Sequence, residues 1–141
     1  MSRKIPSRDR VRVDDLLAEA RGELARLTPY QLADLQRRPD VLVVDIRPRE
    51  TRVAEGEIPD AVPVERIVLE WRLDPGGPHR LPGITPETTV VLVCNEGYAS
   101  SLAARDLHRL GLRHATDLIG GFRAWKDAGL PVAIGGGPAV S

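Results

Sequence analysis

VVLVCNEGYASSLAARDLHRLG, residues 90–111, decides how this chain is read. Val90 to Val93 form an aliphatic run with no polar break, as expected of a strand buried on both faces of a parallel sheet. The run ends on Cys94, the chain's one cysteine. A short polar loop containing Gly97 follows. A helix then runs from about Ser101 to Leu110, with Ala103, Leu107 and Leu110 on its apolar face and Gly111 as its stop. Strand, tight loop and helix in direct succession predict one α/β unit with its chemistry at the strand's carboxyl end.

The same alternation extends outward. Val41 to Val44 is a second buried run and ends on Asp45, and Thr116 to Ile119 is a further strand. Ala61 to Val64 is a further short strand. Val13, Leu16, Leu17, Ala20, Leu24 and Leu27 recur at three- and four-residue steps, which predicts a helix over 11–27 with Asp14 and Asp15 in its first turn. Thr28 is a natural N-cap and Pro29 a natural first residue for a short helix through Leu35. Residues 46–60 predict a loop or short helix, and residues 65–73 a helix. Residues 74–86, with four prolines and three glycines, predict an irregular surface segment. Phe122 to Ala128 is a closing helix after the Gly120-Gly121 turn. Residues 1–10 are expected to be flexible, and the tail over 133–141 disordered. The pattern is one α/β domain with a largely parallel sheet and right-handed crossovers.

Composition narrows the function. The 141 residues carry twenty Lys and Arg against twenty Asp and Glu, so the net charge is zero. Nucleic-acid binders ordinarily carry a basic excess, and none is present. No apolar run approaches the roughly 18 residues of a membrane span. The basic N-terminus lacks the apolar core of a secretory signal, so no membrane partner and a cytoplasmic location are expected. A single cysteine allows no internal disulfide, and His79, His108 and His114 show no ligand spacing, so no metal and no cofactor are expected.

Cys94 is the candidate nucleophile. Backbone N–H groups of the loop and the start of the following helix form a cradle for negative charge, and a thiolate there is stabilised. A cysteine after four aliphatic residues also reads as a small buried hydrophobe. The loop-then-helix context favours the functional reading.

Four segments, in order, carry a resemblance. LTPYQLADL (27–35) and VLVVDIR (41–47) resemble the first helix and the Asp-x-Arg strand end of rhodanese-like domains. EGEIPDAVPV (55–64) resembles the family's Gly-His-Ile-Pro-Gly-Ala segment. VVLVCNEGYASSLAARDLHRLG is similar to the active-site strand, loop and helix, and DLIGGFRAWKDAGLPV (117–132) to the closing Gly-Gly-x-x-x-Trp stretch. The resemblance spans residues 28–132. It implies an open, mainly parallel sheet with helices on both faces, and sulfur transfer through a Cys94 persulfide. The partners it implies are a small sulfur donor such as thiosulfate and a thiol or cyanide acceptor, with a protein acceptor as a further option. Asn95, Glu96, Gly97, Tyr98, Ala99 and Ser100 then form the substrate-binding loop, supported by Asp45, Arg47 and Ser101. Helix capping is an equal reading of the two serines, and pairing with Asp45 the favoured reading of Arg47. Arg72, His79 and Arg80 could supply positive charge from the irregular segment, with plain solvated side chains the favoured reading of all three.

The chain departs from the family pattern where relatives place a basic residue after the cysteine and an Arg later in the loop. Asn95, Glu96 and Ala99 stand there instead, and Glu96 is expected to disfavour a dianionic donor. Glu57 and Asp60 replace the usual His and Gly. Phosphatases of the same fold need Cys-x5-Arg to grip phosphate, and the sixth residue after Cys94 is Ser100. The other reading is a non-catalytic binding or redox-sensing module. The helix over 11–27 is expected to cover the sheet, bind a partner or build a dimer.

Overall fold

The computed structural model describes residues 10–141, so the stretch 1–9 of the expected flexible terminus lies outside the described residues. Strands β1 (Val41–Asp45), β2 (Val62–Pro63), β3 (Thr89–Val93) and β4 (Thr116–Asp117) form one four-stranded sheet in the order β2-β1-β3-β4, with every neighbouring pair parallel. The helices are α1 (Val13–Gly22), α2 (Pro29–Leu35), α3 (Arg49–Glu55), α4 (Leu69–Leu73), α5 (Ala99–Arg109) and α6 (Gly121–Asp127). Among the described residues no helix is long and apolar enough to cross a membrane.

The two aliphatic runs become the two central strands, and strand periodicity sorts their side chains onto two faces. Val44, Val90 and Leu92 pack with Leu69 and Leu73 of α4 and with Ala103, Ala104 and Leu107 of α5. Val43, Val91 and Val93 pack on the other face with Leu32 of α2 and with Phe122 and Trp125 of α6. Cys94 shares the parity of Val90 and Leu92 and joins the α5 side, where the next helix begins. Asp45 shares the parity of Val43, and Arg47 lies over the Phe122 ring on the opposite side. Strand parity alone therefore sets the two suggestive strand ends, Asp45 and Cys94, on different faces.

Local chemistry explains the element ends. Thr28 Oγ1 accepts from the Gln31 N–H while Gln31 Oε1 accepts from the Thr28 N–H, a closed capping box with Pro29 at the first helical position. The helix expected over 11–27 stops at Gly22. Glu23 and Leu24 close its last turn with N–H bonds to Ala20 and Arg21. The chain then straightens, and Leu27 pairs beside β4, exchanging backbone bonds with Asp117 and Ile119. Leu24 and Leu27 meet the core from an extended segment, because pairing on the edge of β4 outweighs another helical turn. The short helix α1 packs against α5. Residues 65–73 divide into a 3₁₀ turn, Arg66–Val68, and α4.

The tail over 133–141, expected to be disordered, is held along the molecule. Ala133 exchanges two backbone bonds with Glu57, and Val140 lies parallel to Val64, its N–H donating to the Pro63 carbonyl. It thereby covers the free edge of β2. Arg52, 1% exposed, donates to the Gly137 carbonyl and to Glu57, whose carboxylate also accepts the Gly136 N–H. The glycines that suggested flexibility permit close approach instead: a Cβ on Gly135 would stand 1.9 Å from the Arg52 carbonyl oxygen. A chain ending at Val132 is expected to lose roughly 2–4 kcal/mol, because Arg52 and the edge of β2 lose their partners. The urea midpoint measures the loss, and an unchanged midpoint would mean that the tail adds nothing to stability.

Candidate active site

The loop after β3 turns back on the cysteine that precedes it. The Gly97 N–H donates to Cys94 Sγ at 3.2 Å, and the thiol donates to Ser100 Oγ at 3.1 Å. Gly97 has φ +84°, and a Cβ there would lie 2.7 Å from the Gly120 nitrogen. Glycine is therefore required on both conformational and steric grounds. Helix α5 starts at Ala99, two residues earlier than its apolar pattern suggested, so its first turn stands directly beside the sulfur.

Beneath the loop lies a fully buried carboxylate, Asp117, at the end of β4. Its Oδ2 accepts from Ser100 Oγ and Ser101 Oγ, both at 2.7 Å. Arg26 donates to Oδ1 at 2.8 Å and to Oδ2 at 3.2 Å. The two serines lie inside the first turn of α5, where Tyr98 is the N-cap and gives no side-chain cap. Their hydroxyls tie the helix to Asp117 instead of capping it. Of the two serines, Ser100 is the one bonded to the sulfur.

Helix α6 secures the loop from another side. The Phe122 N–H donates to the Cys94 carbonyl at 2.9 Å, and the Arg123 N–H to the Asn95 carbonyl at 3.2 Å. A Cβ on Gly121, at φ +65°, would come within 2.5 Å of the Cys94 carbonyl oxygen. The Gly120-Gly121 pair thus serves the site as well as its own turn.

The remaining candidate residues form a separate chain of contacts. Arg47, 5% exposed, grips Asp45 with Nε at 3.0 Å from Oδ1 and Nη2 at 2.7 Å from Oδ2. It also holds the Gly56 carbonyl at 2.7 Å, and reaches the loop only through Asn95 Oδ1, at 3.3 Å. Asn95 Nδ2 donates to Glu55 at 2.9 Å, Arg123 pairs with Glu55 at 3.2 Å, and Arg123 also faces Glu96 at 3.3 Å. The charge expected of Glu96 is therefore partly offset by a cation on α6 that it shares with Glu55. Glu57 is met by Arg52. Asp60 has φ +66°, which explains the glycine usual at that place and why a short polar side chain can follow it. Arg72 binds the carbonyls of His79 and Ser141, and Arg80 the carbonyl of Gly77, so neither is drawn into the Cys94 contacts. Tyr98 is exposed on the rim.

Three residues of the site, Asp117, Arg26 and Arg21, were missed in the sequence. Asp117 had a partial signal, as a charged residue inside the strand expected over 116–119; the structure ends that strand at Asp117. Arg21 and Arg26 had none, because they precede the segments that carry the family resemblance.

The arrangement is an α/β sheet with a strand-end cysteine, one loop N–H on its sulfur and a helix start beside it. Comparison with known proteins gives this arrangement its family. The profile of the rhodanese-like domain matches residues 28–128, and the chain belongs to this family. It is 35% identical over 102 residues to a sulfurtransferase of Allochromatium vinosum, covering 72% of this chain and 84% of that one. A protein of unknown function from Rhodopseudomonas palustris, described as a possible tyrosine phosphatase, superposes with a TM-score of 0.78 at 31% identity, over 94% of this chain and 98% of that one. The polysulfide-sulfur transferase homodimer of Wolinella succinogenes superposes with a TM-score of 0.64 at 26% identity, over 82% of each chain.

The rim network has a pH signature. The Asn95 hydrogen bond and then that from Arg123 hold the Glu55 carboxyl below its ordinary value, because both favour the charged form. A depressed carboxyl stabilises the fold above the ordinary carboxylate range, and that contribution is lost as pH falls through the lowered value. Asn95→Ala is expected to move Glu55 back up toward the ordinary value. A carboxyl-carbon NMR titration reads this directly, and an unmoved Glu55 would show that Asn95 does not govern it.

Proposed function

We propose that the protein is a sulfurtransferase that carries sulfane sulfur on Cys94. The Cys94 thiolate attacks the outer sulfur of a donor such as thiosulfate. The donor's S–S bond breaks, sulfite leaves with the bonding pair, and Cys94 is left as a persulfide. A thiophilic acceptor then attacks the outer sulfur. Cyanide leaves as thiocyanate, a thiol leaves as a persulfide, and the Cys94 thiolate returns. A protein thiol is an acceptor of the same chemistry as a small one.

The observation that carries this reading is the loop turned onto Sγ, with the Gly97 N–H and Ser100 Oγ both at hydrogen-bond distance. The Gly97 N–H, which donates to Sγ, and the start of α5 favour negative charge on the sulfur, while Ser100 Oγ receives the proton of the resting thiol. The 35% identity to a sulfurtransferase that the chain covers by 84% supports the same chemistry. Arg123 offsets part of the Glu96 charge toward an anionic donor, although it shares itself with Glu55. Phosphate transfer, which the description of the Rhodopseudomonas palustris neighbour suggests, lacks its arginine here. The residue in the phosphate-gripping position is Ser100, whose hydroxyl is committed to Asp117. Arg105 faces Asp106 and Glu19 at 3.6 and 4.0 Å.

Incubation with thiosulfate or a low-molecular-weight persulfide is expected to add one sulfur to the intact protein. Cyanide should remove it. Cys94→Ser should abolish both the adduct and thiocyanate formation while the protein stays folded. Absence of an adduct with every sulfane donor would sink the proposal and leave a binding or redox-sensing role for the domain.

A further inference from the structure

Arg21 stands on α1, before residue 28 where the family match begins, yet it touches the Cys94 loop. Its Nη2 donates to the Gly97 carbonyl at 2.8 Å and its Nε to Ser101 Oγ at 3.2 Å. Its guanidinium lies 5.5 Å from the centroid of the Tyr98 ring. Arg26 adds a second donor to the same Gly97 carbonyl, at 3.1 Å.

Two consequences follow from elementary geometry and charge. The peptide joining Gly97 to Tyr98 is planar and trans, so its C=O and N–H point in opposite directions. Two guanidinium groups on the carbonyl turn it toward α1, which directs the Tyr98 N–H the other way. The same anchor fixes the residue whose own N–H meets Cys94 Sγ. The charge is also uneven. Arg26 is matched by Asp117, whereas Arg21 has no carboxylate partner among the described residues. The part-buried group beside the loop therefore holds one surplus positive charge. The loop itself, Asn95 to Ala99, carries no basic residue.

We propose that Arg21 is a positioning residue for Cys94. It supplies, from outside the matched domain, the positive charge that the loop lacks, and it holds the Gly97 turn against the sulfur. Negative charge on Sγ is favoured by it, and so is the approach of anionic reactants. For the persulfide state this rests on the sulfur-transfer reading. The effect on the bare thiol does not.

Alkylation of Cys94 separates the two. Intact mass follows its reaction with iodoacetate, which is anionic, and with iodoacetamide, which is neutral, at one pH in the full-length chain. Arg21→Ala is expected to slow iodoacetate roughly tenfold and iodoacetamide by less, so that the ratio of the two rates falls. Arg21→Lys should keep the ratio close to wild type. If Arg21→Ala fails to fold, Arg21→Gln, which retains the stem, gives the same reading. An unchanged ratio in the neutral variant, or an equal fall in Arg21→Lys, would overturn the proposal. A changed ratio in a protein that never loads sulfur supports the role of Arg21 and refutes the sulfur-transfer reading. Normal sulfur loading with an unchanged ratio does the reverse.

Discussion

Asp117 has no exposed surface, and a lone carboxylate in that place would be costly to ionise. It is tolerable because four donor groups converge on it: two nitrogens of Arg26 and the hydroxyls of Ser100 and Ser101. The constraint runs outward from there. Because Asp117 needs both serines, the first turn of α5 must stand over the end of β4. Because α5 stands there, the five residues between Cys94 and Ser100 must turn sharply, which demands Gly97 at positive φ. That turn brings the Gly97 N–H to the sulfur. Removing one member would leave charge or hydroxyl groups buried without partners, so the site's geometry and part of the fold's stability are one property.

The sheet supplies the other half of the arrangement. Parallel pairing of β1 with β3 sets Asp45 opposite Val93, one residue before the cysteine, while parity turns the two functional-looking side chains to opposite faces. The Asp45–Arg47 pair consequently works from behind. It fixes Gly56 and Asn95, and so the outer wall of the loop, without approaching Sγ. Its contacts are those of a bracket, which suits a cation whose charge is already taken by a buried carboxylate.

How far this was legible in the sequence follows from the range of each interaction. The strands Val41–Val44 and Val90–Val93, the capped helix at Thr28 and the strand-end cysteine are local patterns, and they are where the sequence places them. The class of fold was equally open to reading, since alternating buried strands and helices leave few arrangements. The end of α1 was not. Leu24 and Leu27 keep helical spacing, and only pairing with the edge of β4 shows that the chain has straightened. The tail misled for a related reason. Glycines read as freedom when seen alone, but Gly135 is there because Arg52's backbone leaves no room for a Cβ. The cation meeting Glu96, on α6, lies beyond any local window.

The loop from Asn95 to Ala99 is poor in positive charge because its cations come from outside it. An arginine within the loop would bring its own flexible stem and its own need for partners. Arg21 and Arg26 come instead from a helix and an extended segment already fixed by packing on α5 and by pairing beside β4. Their guanidinium groups are ordered by those contacts before any reactant arrives, so little side-chain freedom is left to lose when charge forms on the sulfur. The segment before the matched domain is then part of the site's electrostatics as well as cover for α5. A chain cut at residue 28 would keep Cys94, its loop and its serines, and would leave Asp117 buried without its cation.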